Sequence, residues 1–162
     1  MKISLTKPQY QVSLSNKRFR VLVSGRRFGK TFLCITEMMK YASQIKKNIW
    51  YVAPTFKMAR EIVWSKLKQM LSDFNWIENI NESNLQIRIK KTGSLISLKG
   101  CENYDSLRGV GIDFLILEIL HWNFVSLLAS SCSAISLALI ASDSSRLSAR
   151  SAVSDKTVTR SG

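Results

Sequence analysis

The chain has few of the residues that build metal sites and disulfide frameworks. It has three cysteines and one histidine in 162 residues, and Cys34, Cys101 and Cys132 are too widely spaced to form a CxxC motif or a metal pattern with His121. Isolated cysteines of odd number fit a reducing compartment, where each thiol acts as a small apolar side chain. The amino terminus also lacks the apolar core of a signal peptide. We therefore expect a cytosolic protein without a structural metal.

Acidic residues are also scarce. The chain has 24 Lys+Arg against 11 Asp+Glu, a formal net charge of +13, and residues 1–120 hold 20 of the basic and 9 of the acidic residues. A surplus of this size favours a polyanionic partner, nucleic acid before an anionic membrane. A solvated basic surface without a partner is the alternative.

Charged residues are absent from a long stretch after residue 118. No formally charged residue lies between Ile119 and Ser142, and residues 122–162 contain 12 serines, one lysine and no glutamate. A membrane span is possible on length, but the many serines weigh against it. A normal continuation of the domain would show a clearer amphipathic pattern. We therefore predict that the reading frame shifted near codon 118 and left a serine-rich, poorly structured tail over residues 121–162.

The first 120 residues alternate between strand and helix patterns. Strand runs are predicted at 20–23, 49–53 and 114–117, helices at 31–41 and 56–74, and a hairpin at 85–89 and 95–98. This order predicts an α/β fold with a mainly parallel sheet flanked by helices and an inserted antiparallel β-hairpin. Residues 1–120 are then one partial domain.

A phosphate-binding loop follows the first strand and opens the first long helix. Gly29 lets the backbone approach a phosphate closely, Lys30 can reach the terminal phosphates, and the Thr31 hydroxyl can hold Mg²⁺. Ser24 stands where the general pattern has its first glycine. The predicted nucleotide-binding residues of this loop are Ser24, Gly25, Arg26, Arg27, Phe28, Gly29, Lys30 and Thr31.

Two kinds of catalytic residue are expected beside this loop. Arg26 can stabilise the charge that develops during phosphoryl transfer, whereas Arg27 is as well explained as a surface charge. The strand 114–117 ends at a single carboxylate, Glu118, where ATPases of this type have an Asp-Glu pair. Either Glu118 takes the place of the Asp in the Mg²⁺ shell and Ile119 replaces the catalytic Glu, or Glu118 activates water and the Asp is missing.

Asp113 cannot supply the second carboxylate. It lies five residues before Glu118, about 16 Å away along a strand. The plain alternative for Glu118 itself is a solvent-exposed residue at a strand end.

Four ordered segments resemble the N-terminal ATPase domain of tailed-bacteriophage terminase large subunits. They are LTKPQY at 5–10, KRFRVLVSGRRFGKT at 17–31, YVAPT at 51–55 and SLRGVGIDFLIL at 106–117. The resemblance implies a P-loop NTPase fold, ATP and Mg²⁺ as cofactors, and ATP-driven packaging of double-stranded DNA in the cytoplasm of a bacterial host. The implied partners are DNA, the portal, the small terminase subunit and further copies of the chain in a ring.

The resemblance also implies roles for single residues. Gln9 matches the glutamine that reads adenine, and Arg26 matches an arginine finger within the subunit. Arg108 lies in the segment that can offer a finger to a neighbouring subunit, and a plain charge at the hairpin exit explains it equally well. The family's C-terminal nuclease needs an acidic cluster, but only Asp143 and Asp155 follow Glu118.

We therefore expect a terminase fragment that lacks the nuclease domain, binds ATP weakly and hydrolyses little of it. The alternatives are a helicase-like DNA-stimulated ATPase and a basic nucleic-acid-binding protein with a membrane-anchoring tail.

Overall fold

The computed structural model describes residues 3–25, 27–102, 110–120 and 136–142. Its elements, in chain order, are α1 (Lys7–Leu14), β1 (Phe19–Ser24), α2 (Lys30–Ala42), β2 (Asn48–Ala53), α3 (Phe56–Ala59), a π-helical turn (Arg60–Trp64), α4 (Ser65–Asp73), β3 (Ile77–Asn81), β4 (Gln86–Ile89), β5 (Leu95–Gly100), β6 (Phe114–Leu120) and β7 (Ser136–Ser142). The strands form one sheet in the order β1-β7-β6-β2-β5-β4-β3. The α/β architecture predicted from the sequence is confirmed.

The sheet is mixed, with a parallel majority. Strand β2 pairs in parallel with β5 and β6, and β7 pairs antiparallel with both β1 and β6. Strand β1 therefore runs in the same direction as β6, so β1, β6, β2 and β5 are all parallel. Strand β4 is antiparallel to both β3 and β5. The β4–β5 pair is the predicted hairpin, and β3 extends it to three strands.

Strand β7 comes from a part of the chain that the sequence predicts to be a poorly structured tail. Residues 136–142 read SLALIAS, an apolar run between two serines, and this run pairs over its whole length with β1 on one side and β6 on the other. The apolar run has the length and composition of a buried strand. The tail expected from residue 121 therefore does not extend through these seven residues, and the rest of 121–162 lies outside the described part of the chain.

The hydrophobic core lies between one face of the sheet and helices α2 to α4. Alternate strand residues point to this face, as in Ile49 and Tyr51 of β2 and Phe114 and Ile116 of β6, and all four are at most 1% exposed. Ile140 of β7 is fully buried in the same cluster. On β1, by contrast, the alternate apolar residues Phe19, Val21 and Val23 are exposed.

The segment from Phe56 to Asp73 is helical throughout, as the sequence predicts, with a π-helical turn in its middle. Thr55 caps it, because its hydroxyl accepts a hydrogen bond from the Met58 N–H at 3.1 Å. Among the described residues, no helix combines the length and the apolar character that crossing a membrane requires.

Because Ile140 is buried, its substitution tests whether β7 contributes to the stability of the fold. Ile140→Ala deletes buried methyl groups between β1 and β6, and we expect it to lower the free energy of unfolding by about 2–4 kcal/mol. Val21→Ala, at a residue 63% exposed on β1, is the control and should cost less than about 1 kcal/mol. Urea unfolding followed by circular dichroism measures both. Equal effects of the two substitutions would show that β7 does not contribute to the core.

Candidate nucleotide-binding site

The loop between β1 and α2 has the backbone that a phosphate site needs. Ser24 is the last residue of β1, Lys30 is the first of α2, and Gly29 caps the helix with φ 84°. This left-handed conformation is inexpensive for glycine and strained for other residues. The first N–H groups of a helix have no acceptor within the helix, so they are open to an anion at this end. Arg26 lies outside the described residues.

The Lys30 side chain lies across the loop. Its Nζ donates hydrogen bonds to the carbonyl oxygens of Ser24 at 3.1 Å and Gly25 at 3.0 Å. These two bonds hold the ammonium where the β1 strand ends and the helix begins. Thr31 is the second helical residue and is half-buried. The structure thus brings together the ammonium, the hydroxyl and the helix end that the sequence assigned to phosphate and Mg²⁺.

The remaining loop residues differ in environment. Arg27 is exposed and has φ 65°, and Phe28 is half-buried and packs against the core. An exposed arginine at this point fits both a phosphate contact and a plain surface charge, so the two interpretations of Arg27 stay open. The Ser24 hydroxyl is buried and has no hydrogen-bond partner among the described residues.

Gln9 contacts the loop directly. It is 5% exposed, and its Nε2 donates to the carbonyl of Phe28 at 2.8 Å while its Oε1 accepts from the Thr6 N–H at 3.0 Å. A Cβ atom placed on Gly29 would lie 2.6 Å from Gln9 Nε2, so the amide packs on the glycine itself. One N–H and one oxygen lone pair of Gln9 remain for a ligand. Its role in reading adenine stays a prediction, and its contact with the loop is an additional finding.

Helix α1, which carries Gln9, is absent from the sequence-based prediction. The signal was present as a capping-box pattern, in which a threonine is followed three residues later by glutamine with proline at the helix start. Only Gln9 and Ser13 are buried on this helix. Without an apolar stripe, its periodicity gave no helical signal.

Glu118 of β6 is buried. The carboxylate is 7% exposed and accepts a hydrogen bond from the hydroxyl of Tyr51, which is fully buried on β2. The alternative of a solvent-exposed residue at the strand end is therefore wrong. Burial raises the pKa of the Glu118 carboxyl above its ordinary value, and the charge of Lys30 opposes part of that rise. Glu118 and the loop lysine thus share one electrostatic environment.

Tyr51 is a site residue that sequence reasoning assigned only to a structural strand. Its position in β2 is two residues before the strand ends, and its side chain lies on the same face as Glu118. A tyrosine within an otherwise apolar strand was the available signal, because a buried phenol normally needs a hydrogen-bond partner.

Asp113 lies away from the phosphate loop. Its carboxylate bonds the Lys47 ammonium at 3.2 Å and the Asn48 N–H at 2.9 Å, next to the start of β2. The phosphate loop lies at the other end of the parallel strands. This placement agrees with the expectation that Asp113 cannot pair with Glu118. Arg108 lies outside the described residues.

The described residues contain no group of three or more His, Cys, Asp or Glu side chains that could hold a metal ion. Mg²⁺ commonly binds through one or two protein ligands together with substrate phosphates and water. The assignment of Thr31 and Glu118 to a Mg²⁺ site of this kind stays a prediction.

The comparisons with known proteins agree with the architecture. No protein-family model and no curated protein sequence matches the chain. Among solved structures, the large terminase ATPase domain of Thermus phage P74-26 matches with a TM-score of 0.59 and 22% identity. The chain has the fold of a phage terminase ATPase domain. The match covers 70% of this chain and 53% of that one, so the chain spans about half the length of the solved domain.

The environment of Glu118 predicts the pH dependence of stability. Between the ordinary glutamate pKa of about 4.3 and the raised value in the folded state, the native protein holds a proton that the unfolded chain releases. The free energy of unfolding contributed by this group therefore falls as pH rises through that window. We expect Glu118→Gln to gain stability relative to the wild type as pH rises from about 4.3 through that window, measured by urea unfolding.

Glu82 is a control for which we expect the opposite pH dependence of stability. Hydrogen bonds from Lys68 and Trp64 lower its pKa, so its stabilising contribution is present above the ordinary glutamate pKa and is lost as pH falls through the lowered value. Glu82→Gln should lose stability relative to the wild type as pH rises. The same direction for both variants would refute the assignment at Glu118.

Cys34 of α2 reports on the same buried environment. Burial, with the charges of Glu118 and Glu37, raises the pKa of its thiol to about 12, whereas Cys101 is exposed. Because the thiolate is the reactive form, iodoacetamide should modify Cys101 in the native protein and reach Cys34 only after unfolding in urea. Peptide mass spectrometry reads both sites. Equal labelling of the two cysteines at neutral pH would contradict this burial.

Proposed function

We propose that this chain is the nucleotide-binding part of a phage terminase large subunit, the ATP-driven motor that packages viral DNA into a procapsid. The observation that carries the proposal is the β1–loop–α2 unit, in which the Lys30 ammonium spans Ser24 and Gly25 at the end of a helix capped by Gly29. The fold shared with a terminase ATPase domain supports it. The ordered sequence segments around the loop favour a terminase over a helicase-like ATPase.

The loop residues would bind the phosphates of ATP. Lys30 would exchange a carbonyl oxygen for a β- or γ-phosphate oxygen, and the helix N–H groups would donate to the same anion. Thr31 would hold Mg²⁺, which, when bound, neutralises charge on the phosphates. Arg26 is proposed to contact the γ-phosphate from within the loop, and Arg108 to serve a neighbouring subunit.

The environment of Glu118 limits ATP hydrolysis. A carboxylate must be ionised to order Mg²⁺ or to accept a proton from water, and burial beside Tyr51 favours its protonated form. Terminases use a pair of carboxylates here, and this chain has one. We therefore propose weak ATP binding and little hydrolysis by the isolated chain.

The partners are inferred from charge and from the motor function. A net charge of +13 suits a DNA duplex, which the motor would grip through its phosphates. In an intact motor the portal, the small terminase subunit and further copies of the chain would complete the assembly. DNA cleavage is not part of the proposal.

ATP affinity with and without the loop lysine tests the proposal. Lys30→Ala removes a charge-assisted contact worth about 1.5–3 kcal/mol, so we expect at least tenfold weaker binding of Mg-ATP by calorimetry. Lys66→Ala, at an exposed lysine of α4, is the matched control and should bind as the wild type does. Phosphate release by the wild type should stay near the background rate.

Two results would count against the proposal. Equal ATP affinity of the wild type and Lys30→Ala would place the nucleotide elsewhere or nowhere. Rapid phosphate release that disappears in Lys30→Ala would confirm the site but contradict the expected inactivity.

A further inference from the structure

A buried ion pair lies behind the phosphate loop and has no part in the function proposed above. Arg20 of β1 is 8% exposed, Glu37 of α2 is fully buried, and their Nη2 and Oε2 atoms lie 2.8 Å apart. Because both ions lose their hydration, such a pair gains little stability over an apolar pair of similar volume. Its contacts indicate what else it does.

Those contacts converge on the C-terminal end of α1. Arg20 Nη1 donates to the carbonyl of Val12 at 3.1 Å, and the Ser13 hydroxyl donates to Glu37. The ammonium of Lys40 donates to the carbonyl of Ser13 at 3.0 Å. The last carbonyls of a helix have no partner within it, and cations beside them interact favourably with the helix dipole. The charged groups therefore hold this end of α1 in place.

Helix α1 has little else to hold it. It has eight residues, and a helix of this length is unstable by itself in water. Of its apolar residues, Tyr10 and Leu14 are exposed and only Val12 packs, half-buried, against the core, whereas the two buried side chains, Gln9 and Ser13, are polar. Polar contacts therefore make up most of what positions α1.

The two buried residues connect the ion pair with the loop. Gln9 and Ser13 are four residues apart, so they lie on the same side of the helix. Ser13 contacts Glu37, and Gln9 contacts the carbonyl of Phe28 and packs on Gly29. A displacement of α1 at the Ser13 end would move the Gln9 amide away from the loop.

We propose that Arg20 and Glu37 are positioning residues for the phosphate loop. By fixing Ser13 and the end of α1, they keep the Gln9 amide on the Phe28 carbonyl, and this bond holds the loop in the shape that receives phosphate. The inference rests on the nucleotide-binding function proposed above. Neither residue needs to touch the nucleotide.

The test replaces the pair without burying a lone charge. Arg20→Met/Glu37→Met fills the same volume with apolar atoms, so the fold should persist with a urea midpoint near that of the wild type. We expect roughly tenfold weaker Mg-ATP binding, as for Gln9→Ala. Lys47→Met breaks a different partly buried ion pair, at the opposite end of the parallel strands, and should leave ATP affinity unchanged in the folded protein.

A double-mutant cycle separates positioning from general destabilisation. If the pair acts through Gln9, adding Gln9→Ala to the Arg20→Met/Glu37→Met variant should cause no further loss of ATP affinity. Additive losses, or wild-type affinity in the Arg20→Met/Glu37→Met variant, would overturn the proposal. If that variant does not fold, Ser13→Ala, which removes one hydroxyl, takes its place in the same cycle.

Hydrogen exchange distinguishes failure of this inference from failure of the proposed function. The amide of Leu33, which donates to the carbonyl of Gly29 at 3.0 Å, should exchange faster in the Arg20→Met/Glu37→Met and Gln9→Ala variants than in the wild type or Lys47→Met, whether or not nucleotide binds. A wild type that binds no ATP but shows this pattern would refute the nucleotide function and keep the positioning role. Unchanged exchange would refute the positioning role.

Discussion

The position of Glu118 relative to the phosphate loop depends on the pairing of β7 with the strands on both sides of it. The phosphate loop follows β1, and Glu118 stands on β6, and the two strands do not pair with each other. Within the described part of the chain, only β7 joins them, with an uninterrupted register from Phe19 to Ser24 on one side and from Phe114 to Leu120 on the other. Unpaired edges at this point would leave the two halves of the site without a fixed separation.

A second constraint is the free energy needed to bury charged side chains on the helix-covered face of the sheet. Arg20, Glu37 and Glu118 are all less than a tenth exposed, and they differ in their partners. The first two neutralise each other, and Glu118 has the neutral hydroxyl of Tyr51. An ion paired with a counter-ion keeps its charge, whereas a carboxyl with a neutral donor in a desolvated position moves toward protonation. The same face therefore holds one glutamate in an ion pair and disfavours charge on the other.

The sequence predicted those parts of the fold that have a strong local signal. The strands around Val21, Tyr51 and Ile116, the capped helix after Thr55 and the hairpin at Gly93 all have a period or a turn residue that determines their structure. Helix α1 and strand β3 were not predicted, since the buried residues of α1 are polar and β3 has only two apolar residues, Ile77 and Ile80. The loop Ser24–Thr31 was found from its motif. The partners of Gln9 and Glu118 were not, because they are 19 and 67 residues away in the chain.

Strand β7 was not predicted for a different reason. Its residues stand in a serine-rich stretch whose composition differs from everything before Glu118, and the apolar run within that stretch was therefore assigned to a poorly structured tail. Pairing was decided by the open position between β1 and β6, a tertiary property that no window of sequence contains. An apolar run of five residues is sufficient to fill such a position.

Binding and hydrolysis make different demands on this architecture. Binding needs the N–H groups, the glycine and the lysine of one continuous segment, and α1 supports that segment from close by in the chain. Hydrolysis also needs an ionised carboxylate from a strand almost a hundred residues further on, whose charge state is set by Tyr51 and by burial. The residues needed for binding lie within one short segment of the chain. The only carboxyl group beside them among the described residues is that of Glu118, and burial shifts it toward its neutral form. Under the proposed function, these different demands are the reason to expect ATP binding without appreciable hydrolysis.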